Sequence, residues 1–359
     1  MALTYAEIDK KLHNISKHLA KLPCLPVNLD QEREKFFKSS TYNPIFTYEP
    51  EHEPLDKIEQ ALRNIEIDSS GIGIIFKKKR NELFNIVQML KSIGTRKFTE
   101  ISKILYGQPD DKLIKSAWKL INLHDSPDTT FISTSQVLVK LEYAIMKYGF
   151  NWKVKEKEMA SKACVSCSNK TLYIKQDSFY TNKFVKRLIV HEIGTHILRN
   201  ENGLQQPYKI FADGTTNYLA TEEGLAVLNE ELHNCLTKST LKTYAARVIA
   251  VHKALKCTFR ETYNYIVPYV GKHNAFDITL RAKRGIGNTF FPGAFTKDYL
   301  YLKGYRDLKQ YLNHGGNIQR LYYGKIGLDD LDIVEKIPNI INPLFLENMK
   351  YYSDIIKYK

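Results

Sequence analysis

The heptapeptide VHEIGTH at residues 190–196 places His191 and His196 five positions apart, with Glu192 directly after the first histidine. A glutamate between two histidines on one helix is typical of zinc peptidases, whose usual pattern, HExxH, is one residue shorter. On a regular α-helix, side chains five positions apart diverge by about 140° and cannot share one metal ion. We therefore predict either a π-bulge, which returns residues i and i+5 to one face, or a break of the helix near Gly194.

A catalytic zinc ion needs a third protein ligand and an open position for water, and two histidines with one glutamate form an established set. Among the carboxylates near the histidines, only Glu222 and Glu223 open a new amphipathic helix, TEEGLAVL at residues 221–228. A second helix that crosses the first can present a carboxylate to the histidines. Both glutamates could instead merely favour the helix dipole at this N-terminus. The residues alone therefore leave open which glutamate, if either, binds the metal.

The segment before the histidines has the pattern of short strands. Residues 152–159, 163–168 and 171–176 alternate in polarity or are rich in β-branched and aromatic side chains, which predicts a small antiparallel sheet. Thr181 is a candidate N-cap for the helix that carries His191. Sheet and metal-binding helix are thus expected side by side.

The rest of the chain has helical periodicity, both before residue 125 and after residue 221. We predict an α+β fold, with a helical N-terminal region at residues 1–125 and a zinc metallopeptidase domain at residues 126–359. This domain is expected to be zincin-like, with the small antiparallel sheet beside many helices.

The sequence is strongly basic, with 53 Lys and Arg against 39 Asp and Glu and a formal net charge of +14. A field of this sign attracts anionic partners such as nucleic acids or acidic protein tails. The basic residues are spread along the whole chain and no zinc-finger, homeodomain or RNA-recognition pattern accompanies them, which argues against nucleic acid. We expect the partner to be a protein or peptide C-terminus, with an acidic tail as one candidate.

Hydropathy predicts neither a membrane span nor a secretory signal. No apolar run reaches the roughly 18 residues of a transmembrane helix. The first residues, MALTYAEIDKKLHN, carry charges where a signal peptide has an apolar stretch. The five cysteines, at positions 24, 164, 167, 235 and 257, form no disulfide framework. These features predict a cytoplasmic protein in a reducing compartment, without a membrane partner.

Five short motifs follow one another in the chain, namely VHEIGTH at 190–196, QP at 206–207, TEEGLA at 221–226, LRAKRG at 280–285 and PGAFTKD at 292–298. Their sequence and order closely resemble the microtubule-associated tyrosine carboxypeptidases and their bacterial relatives, which are named for a QEGLA motif. The resemblance covers roughly residues 130–330. Human members of that family are zinc enzymes that remove the C-terminal tyrosine of α-tubulin.

The resemblance implies Zn²⁺ as the cofactor and assigns the residues around it. It implies His191, His196 and Glu223 as metal ligands, because the family uses HExxxH and the second glutamate of EEGLA. It also implies Glu192 as the general base. Glu222 then stands where the bacterial pattern often has glutamine, so the ligand itself is retained.

The position of Glu192 suits the chemistry of such a site. Zinc lowers the pKa of a bound water to about 7, and a carboxylate beside the metal can take its proton. The same carboxyl group can pass that proton to the departing amine. A glutamate on a helix is ordinarily a solvated surface residue. The two histidines that flank Glu192 favour the catalytic role instead.

A carboxypeptidase also needs a cation for the terminal carboxylate of its substrate. Arg281, Lys283 and Arg284 are the local candidates, and the two arginines are three positions apart on one expected helix face. A solvated basic face is the alternative. The resemblance, together with the metal motif, thus implies a zinc-dependent carboxypeptidase that removes a C-terminal, aromatic, tyrosine-like residue from a protein or peptide.

Two other functions keep part of this pattern. A zinc endopeptidase would use the same metal site with an open-ended cleft and no carboxylate-binding arginine. A non-enzymatic regulatory binding protein would need no general base, so the intact Glu192 argues against it.

Overall fold

The structure is a computed structural model that describes residues 3–19, 25–49, 54–124, 131–159 and 162–345. The chain forms two compact units, of which unit 1 comprises residues 1–124 and 238–303, and unit 2 comprises residues 125–237 and 304–359. The fold is mixed α and β, mostly helical with small sheets. This agrees with the predicted α+β class. No helix among the described residues is long and apolar enough to cross a membrane.

The N-terminal part of unit 1 is helical, as predicted. Its helices are α1 (Tyr5–Leu19), α2 (Leu29–Lys38), α3 (Leu55–Arg63), α4 (Ile72–Lys91), α5 (Lys97–Tyr106) and α6 (Asp111–Leu120). Helix α5 ends because Gly107 adopts a φ of 73°, which glycine tolerates without strain. Helix α6 begins where the Asp110 carboxylate accepts a hydrogen bond from the Leu113 backbone N–H at 2.7 Å.

Unit 2 begins, in the described residues, with two small sheets and one helix. The elements are β1 (Phe131–Ile132), α7 (Thr134–Lys147), β2 (Lys153–Lys157), β3 (Ala163–Ser166), β4 (Thr171–Lys175) and β5 (Tyr180–Thr181). Strands β1 and β5 form an antiparallel pair, and β2, β4 and β3 form a three-stranded sheet in that order.

The three-stranded sheet is mixed, so the predicted purely antiparallel sheet is wrong. Strand β3 pairs with β4 in antiparallel register, whereas β2 pairs with β4 in parallel register. The β3–β4 hairpin is closed by a short 3₁₀ turn that ends at Lys170, with a φ of 47°. Because β4 is flanked on both sides, β2 and β3 are the edge strands of this sheet.

The helices that carry the candidate site follow the sheets. They are α8 (Asn182–Leu188), a π-helix (Ile189–Ile197), α9 (Leu198–Gln205), α10 (Ile210–Asp213) and α11 (Tyr218–Leu232). Thr181 is the N-cap of α8, as predicted, since its hydroxyl accepts a hydrogen bond from the Phe184 backbone N–H at 3.1 Å. Leu172 and Ile174 of β4 share one fully buried hydrophobic core with Ile189 and Ile193 of the π-helix. The sheet thus packs against the π-helix through this shared core.

The last elements are α12 (Lys238–Ala254), α13 (Phe259–Val270), α14 (Lys272–Lys283), α15 (Leu300–Asn313) and α16 (Leu331–Val334). The sequence placed residues 238–303 in the C-terminal domain, but they group with the N-terminal helices in unit 1. The physical reason is that α12 packs against α6 and α14, with Ala245, Ala246 and Val248 fully buried. Such a long-range pairing leaves no local sign in the sequence.

Candidate metal centre

The π-helix places the two histidines of VHEIGTH on one face. It spans nine residues, Ile189–Ile197, and the backbone N–H of Leu198 after it is bonded back to the carbonyl of Ile193, five residues earlier. The imidazole rings of His191 and His196 lie with their centroids 5.0 Å apart. The predicted i→i+5 distortion is thus confirmed, and it extends over more than a single bulge.

The two imidazoles converge on one carboxylate of α11. Nε2 of His191 and Nε2 of His196 are each 3.9 Å from Oε2 of Glu223. One ligand atom from each of the three residues lies within 4.8 Å of the others, and no other such group occurs among the residues that the structure describes. Two imidazole nitrogens and one carboxylate oxygen form a donor set that fits a catalytic zinc ion.

A buried carboxylate holds the ring of His191. Glu230 is fully buried, and its Oε1 lies 2.6 Å from Nδ1 of His191. The same oxygen forms an ion pair with Nε of Arg187 at 2.9 Å. Burial raises the pKa of Glu230, but the charge of Arg187 and the contact with His191 outweigh this and lower it. The carboxylate therefore stays ionised and fixes the His191 tautomer that leaves Nε2 free to bind.

A second buried carboxylate holds His196 in the same way. Oε1 of Glu222 lies 2.8 Å from Nδ1 of His196, and Oε2 accepts from Nη1 of Arg199 at 3.2 Å. Lys325 approaches Oε1 of Glu222 to 3.8 Å. Burial raises the pKa of Glu222, but Lys325, His196 and Arg199 together lower it to about 2. Glu222 is thus a partner of His196, and only Glu223 faces both Nε2 atoms.

The charge around His196 is otherwise negative. Burial lowers the pKa of this histidine, but the hydrogen bond to Glu222 and the charges of Glu222, Glu223 and Glu192 raise it to about 9. Glu192 therefore lies close enough to influence the metal-ligand face. Burial and then the charge of Glu192 also raise the pKa of the Cys164 thiol on β3.

Helix α11 carries Glu222, Glu223 and Glu230, whose carboxylates contact the two histidines, and two glycines fix its position. A Cβ atom on Gly224 would lie 2.2 Å from the carbonyl carbon of Gly304 in α15, so only glycine permits this close crossing. Glu223 and Glu230 are seven positions apart and share one helix face. This spacing was the available sequence signal for Glu230; the contacts of Glu230, Arg187 and Arg199 were not predicted from the sequence.

The three predicted substrate-binding cations lie in unit 1, whereas the metal ligands lie in unit 2. Helix α14 ends at Lys283, so the expectation that Arg281 and Arg284 share a helix face is wrong. Arg281 is bonded through Nε and Nη2 to the carboxylate of Asp298. Burial raises the pKa of Asp298, but Arg281, Arg247 and Arg284 lower it to about 2. Both predicted arginines thus act on one buried carboxylate.

Lys283 does not offer its ammonium group to a substrate. Its side chain is fully buried, and Nζ donates to the backbone carbonyls of Ala254, Cys257 and Phe291 at 3.1, 2.6 and 3.0 Å. Three acceptors use all three ammonium hydrogens. Burial lowers the pKa of Lys283 to about 7. The proposed substrate role of this residue is therefore replaced by a structural one, which ties α14 to the end of α12 and to two neighbouring loops.

Comparison of the sequence with known proteins identifies the family of this chain. The model of the family described as microtubule-associated tyrosine carboxypeptidase matches residues 34–354, well beyond the motif region. Microtubule-associated tyrosine carboxypeptidase 1 of Mus musculus is 26% identical over 378 residues, which cover 99% of this chain and 72% of the relative. The Homo sapiens protein of the same name is 27% identical over 380 residues, with the same coverage of both. The chain belongs to the microtubule-associated tyrosine carboxypeptidase family.

Proposed function

We propose that this protein is a zinc-dependent carboxypeptidase that removes a C-terminal aromatic, tyrosine-like residue from a protein or peptide. The observation that carries the proposal is the convergence of Nε2 of His191, Nε2 of His196 and Oε2 of Glu223, with each Nδ1 held by its own carboxylate. A site built in this way for a cation beside Glu192 suits hydrolysis of a peptide bond. The arrangement of a metal-binding helix beside a small sheet supports a zincin-like unit 2.

The chain's own residues have separate tasks in this reaction. When bound, zinc supplies Lewis acidity to the scissile carbonyl and to the attacking water. Glu192 takes the proton of that water and returns it to the leaving amine, which avoids expulsion of an unprotonated amide anion. Glu222 and Glu230 hold the imidazoles in the orientation and tautomer that keep both Nε2 lone pairs directed at the cation.

Substrate choice rests on the relatives' names and on charge. The relatives are named tyrosine carboxypeptidases, which supports an aromatic last residue. We assign the terminal carboxylate to Arg281 and Arg284, without Lys283, because these two arginines are only partly buried. Residues 238–303 contain only three acidic side chains, Glu261, Asp277 and Asp298, so the positive charge of this segment favours acidic residues upstream in the substrate.

The test uses peptides with several glutamates followed by a free C-terminal Tyr, the same peptides as C-terminal amides, and peptides that end in Ala. Mass spectrometry of the products and metal analysis of the purified protein are measured together. We expect stoichiometric zinc, loss of one residue from the free Tyr peptide, and no cleavage of the amide. Cleavage within the peptides would favour a zinc endopeptidase. Bound zinc without any cleavage, in the presence of intact Glu192, would favour a regulatory binding protein.

A further inference from the structure

Two backbone carbonyls of the π-helix accept hydrogen bonds from buried side-chain hydroxyls. A hydroxyl that bonds a carbonyl five residues earlier fits the π geometry, whereas in a regular α-helix such a bond goes three or four residues back. The hydroxyl of Thr195 donates to the carbonyl of Val190 at 3.1 Å, five residues earlier. The hydroxyl of Tyr322 donates to the carbonyl of Gly194 at 3.4 Å.

One side-chain amide joins these two hydroxyls. Nδ2 of Asn229, on α11, donates to Oγ1 of Thr195 and to Oη of Tyr322, each at 2.8 Å. Each hydroxyl accepts one hydrogen bond from Asn229 and donates one to a carbonyl of the π-helix. The three side chains have exposures of 0 to 1%, so water does not compete with these bonds.

The cost of this arrangement indicates that it serves more than packing. Oδ1 of Asn229 is buried and has no hydrogen-bond partner among the described residues. An apolar side chain at this position would avoid that unsatisfied oxygen, and an unsatisfied buried group in a native structure calls for an explanation. We explain it by the two amide hydrogens of Asn229, which are needed to bond the hydroxyls of Thr195 and Tyr322.

We propose that Thr195, Asn229 and Tyr322 are positioning residues that hold the π-helix in register for metal binding. If this helix relaxed to a regular α-helix, His191 and His196 would diverge by about 140° and could no longer share a cation. Asn229 also lies on the helix that supplies Glu223, so the same amide ties the histidine register to the third ligand. The inference rests on the proposed zinc centre, whereas the helix register itself exists without metal.

The experiment separates the register from the metal. Thr195→Val and Tyr322→Phe each remove one hydroxyl, and Thr195→Ser keeps it. Tyr180→Phe is the matched control, because Tyr180 is also buried and its hydroxyl also bonds a backbone carbonyl, that of Lys175, at 2.8 Å. Zinc affinity is measured by competition with a chelator, the Co²⁺ absorption spectrum reports ligand geometry, and hydrogen exchange of the metal-free protein reports the backbone at residues 189–198.

We expect Thr195→Val and Tyr322→Phe to weaken zinc binding about tenfold or more, to change the Co²⁺ spectrum and to speed exchange at residues 189–198 in the metal-free protein. In Thr195→Ser and Tyr180→Phe, zinc affinity and the exchange rates at residues 189–198 should stay within about twofold of the wild type, and the Co²⁺ spectrum should be unchanged. Unchanged affinity and exchange in both Thr195→Val and Tyr322→Phe would overturn the proposal, as would an equal loss in Tyr180→Phe. If Tyr322→Phe does not fold, Thr195→Val against Thr195→Ser decides. If the wild type binds no zinc but Thr195→Val and Tyr322→Phe still exchange faster than it at residues 189–198, the register is supported and the zinc centre is refuted.

Discussion

Replacing Glu222 by alanine tests whether its carboxylate supports the metal site and the fold together. The substitution removes the hydrogen-bond acceptor from Nδ1 of His196 and leaves Arg199, whose side chain is 0% exposed, without its only carboxylate among the described residues. Lys325, which also faces Glu222, loses a counter-charge at 3.8 Å. Breaking a buried ion pair from one side costs about 3–5 kcal/mol, because an uncompensated charge stays buried.

Two magnitudes follow for Glu222→Ala. The free energy of unfolding of the metal-free protein should fall by about 3–5 kcal/mol, measured by urea denaturation. Zinc affinity should weaken by roughly 10–100-fold, measured by chelator competition, since His196 loses the group that orients it. Stoichiometric zinc should still be retained without a chelator, because all three ligands remain.

The matched variants are Glu222→Gln and Glu223→Ala. Glu222→Gln keeps an acceptor for Nδ1 of His196 but loses the negative charge, so it should recover most of the zinc affinity and little of the stability. Glu223→Ala should lose stoichiometric zinc with a smaller effect on the metal-free fold, because Glu223 forms no Arg or Lys ion pair in the described part of the chain. Urea denaturation of metal-free Glu222→Ala at the wild-type midpoint would refute the argument. So would zinc loss from Glu222→Ala with zinc retention by Glu223→Ala.

Three further variants test single features. Glu192→Gln should keep zinc and fold but lower the turnover of a C-terminal Tyr peptide by at least about a hundredfold, and undiminished turnover would rule out the assigned base. Asp298 has a pKa of about 2 in the folded protein and an unperturbed value of 3.8, so it binds fewer protons folded than unfolded. Its contribution of about 2 kcal/mol is therefore complete above pH 3.8 and is lost as the pH falls through about 2. In urea denaturation at several acidic pH values, the stability lost between about pH 4 and pH 2 should be about 2 kcal/mol smaller in Asp298→Asn than in the wild type. Gly224→Ala should be strongly destabilised, since its Cβ would lie 2.2 Å from the carbonyl carbon of Gly304, and a wild-type denaturation midpoint would contradict the close crossing.

Local chemistry in the sequence predicted the elements of the site closely. The spacing of five between His191 and His196 predicted a π distortion or a helix break near Gly194, because no regular α-helix aligns such a pair, and the structure has the π-helix. Thr181 was recognisable as an N-cap from its residue type and its place before a helical pattern. Each of these signals depends on neighbours within one or two turns of the chain.

Features that depend on distant residues could not be predicted in this way. Alternation of polarity marks β2 as a strand but does not specify whether its partner runs parallel, so the sheet direction was wrong. Lys283 resembles its basic neighbours in the sequence, and only the three carbonyls that surround it show that it is buried. The residues alone also left Glu222 and Glu223 equivalent, and their difference appears only in which atoms of the histidines each one faces.

Residues seven positions apart on α11 form two pairs, and together these pairs contact both histidines and the hydroxyl of Thr195. Glu222 and Asn229 share one face of the helix, and Glu223 and Glu230 share another that is one position further round. The first pair holds Nδ1 of His196 and the hydroxyl of Thr195, while the second pair faces Nε2 of both histidines and Nδ1 of His191. All these contacts need the π-helix to present its residues at i and i+5 together. A return to regular α-helical geometry would break the contacts of both pairs at once, so the extra residue in HExxxH and the paired glutamates of α11 depend on each other.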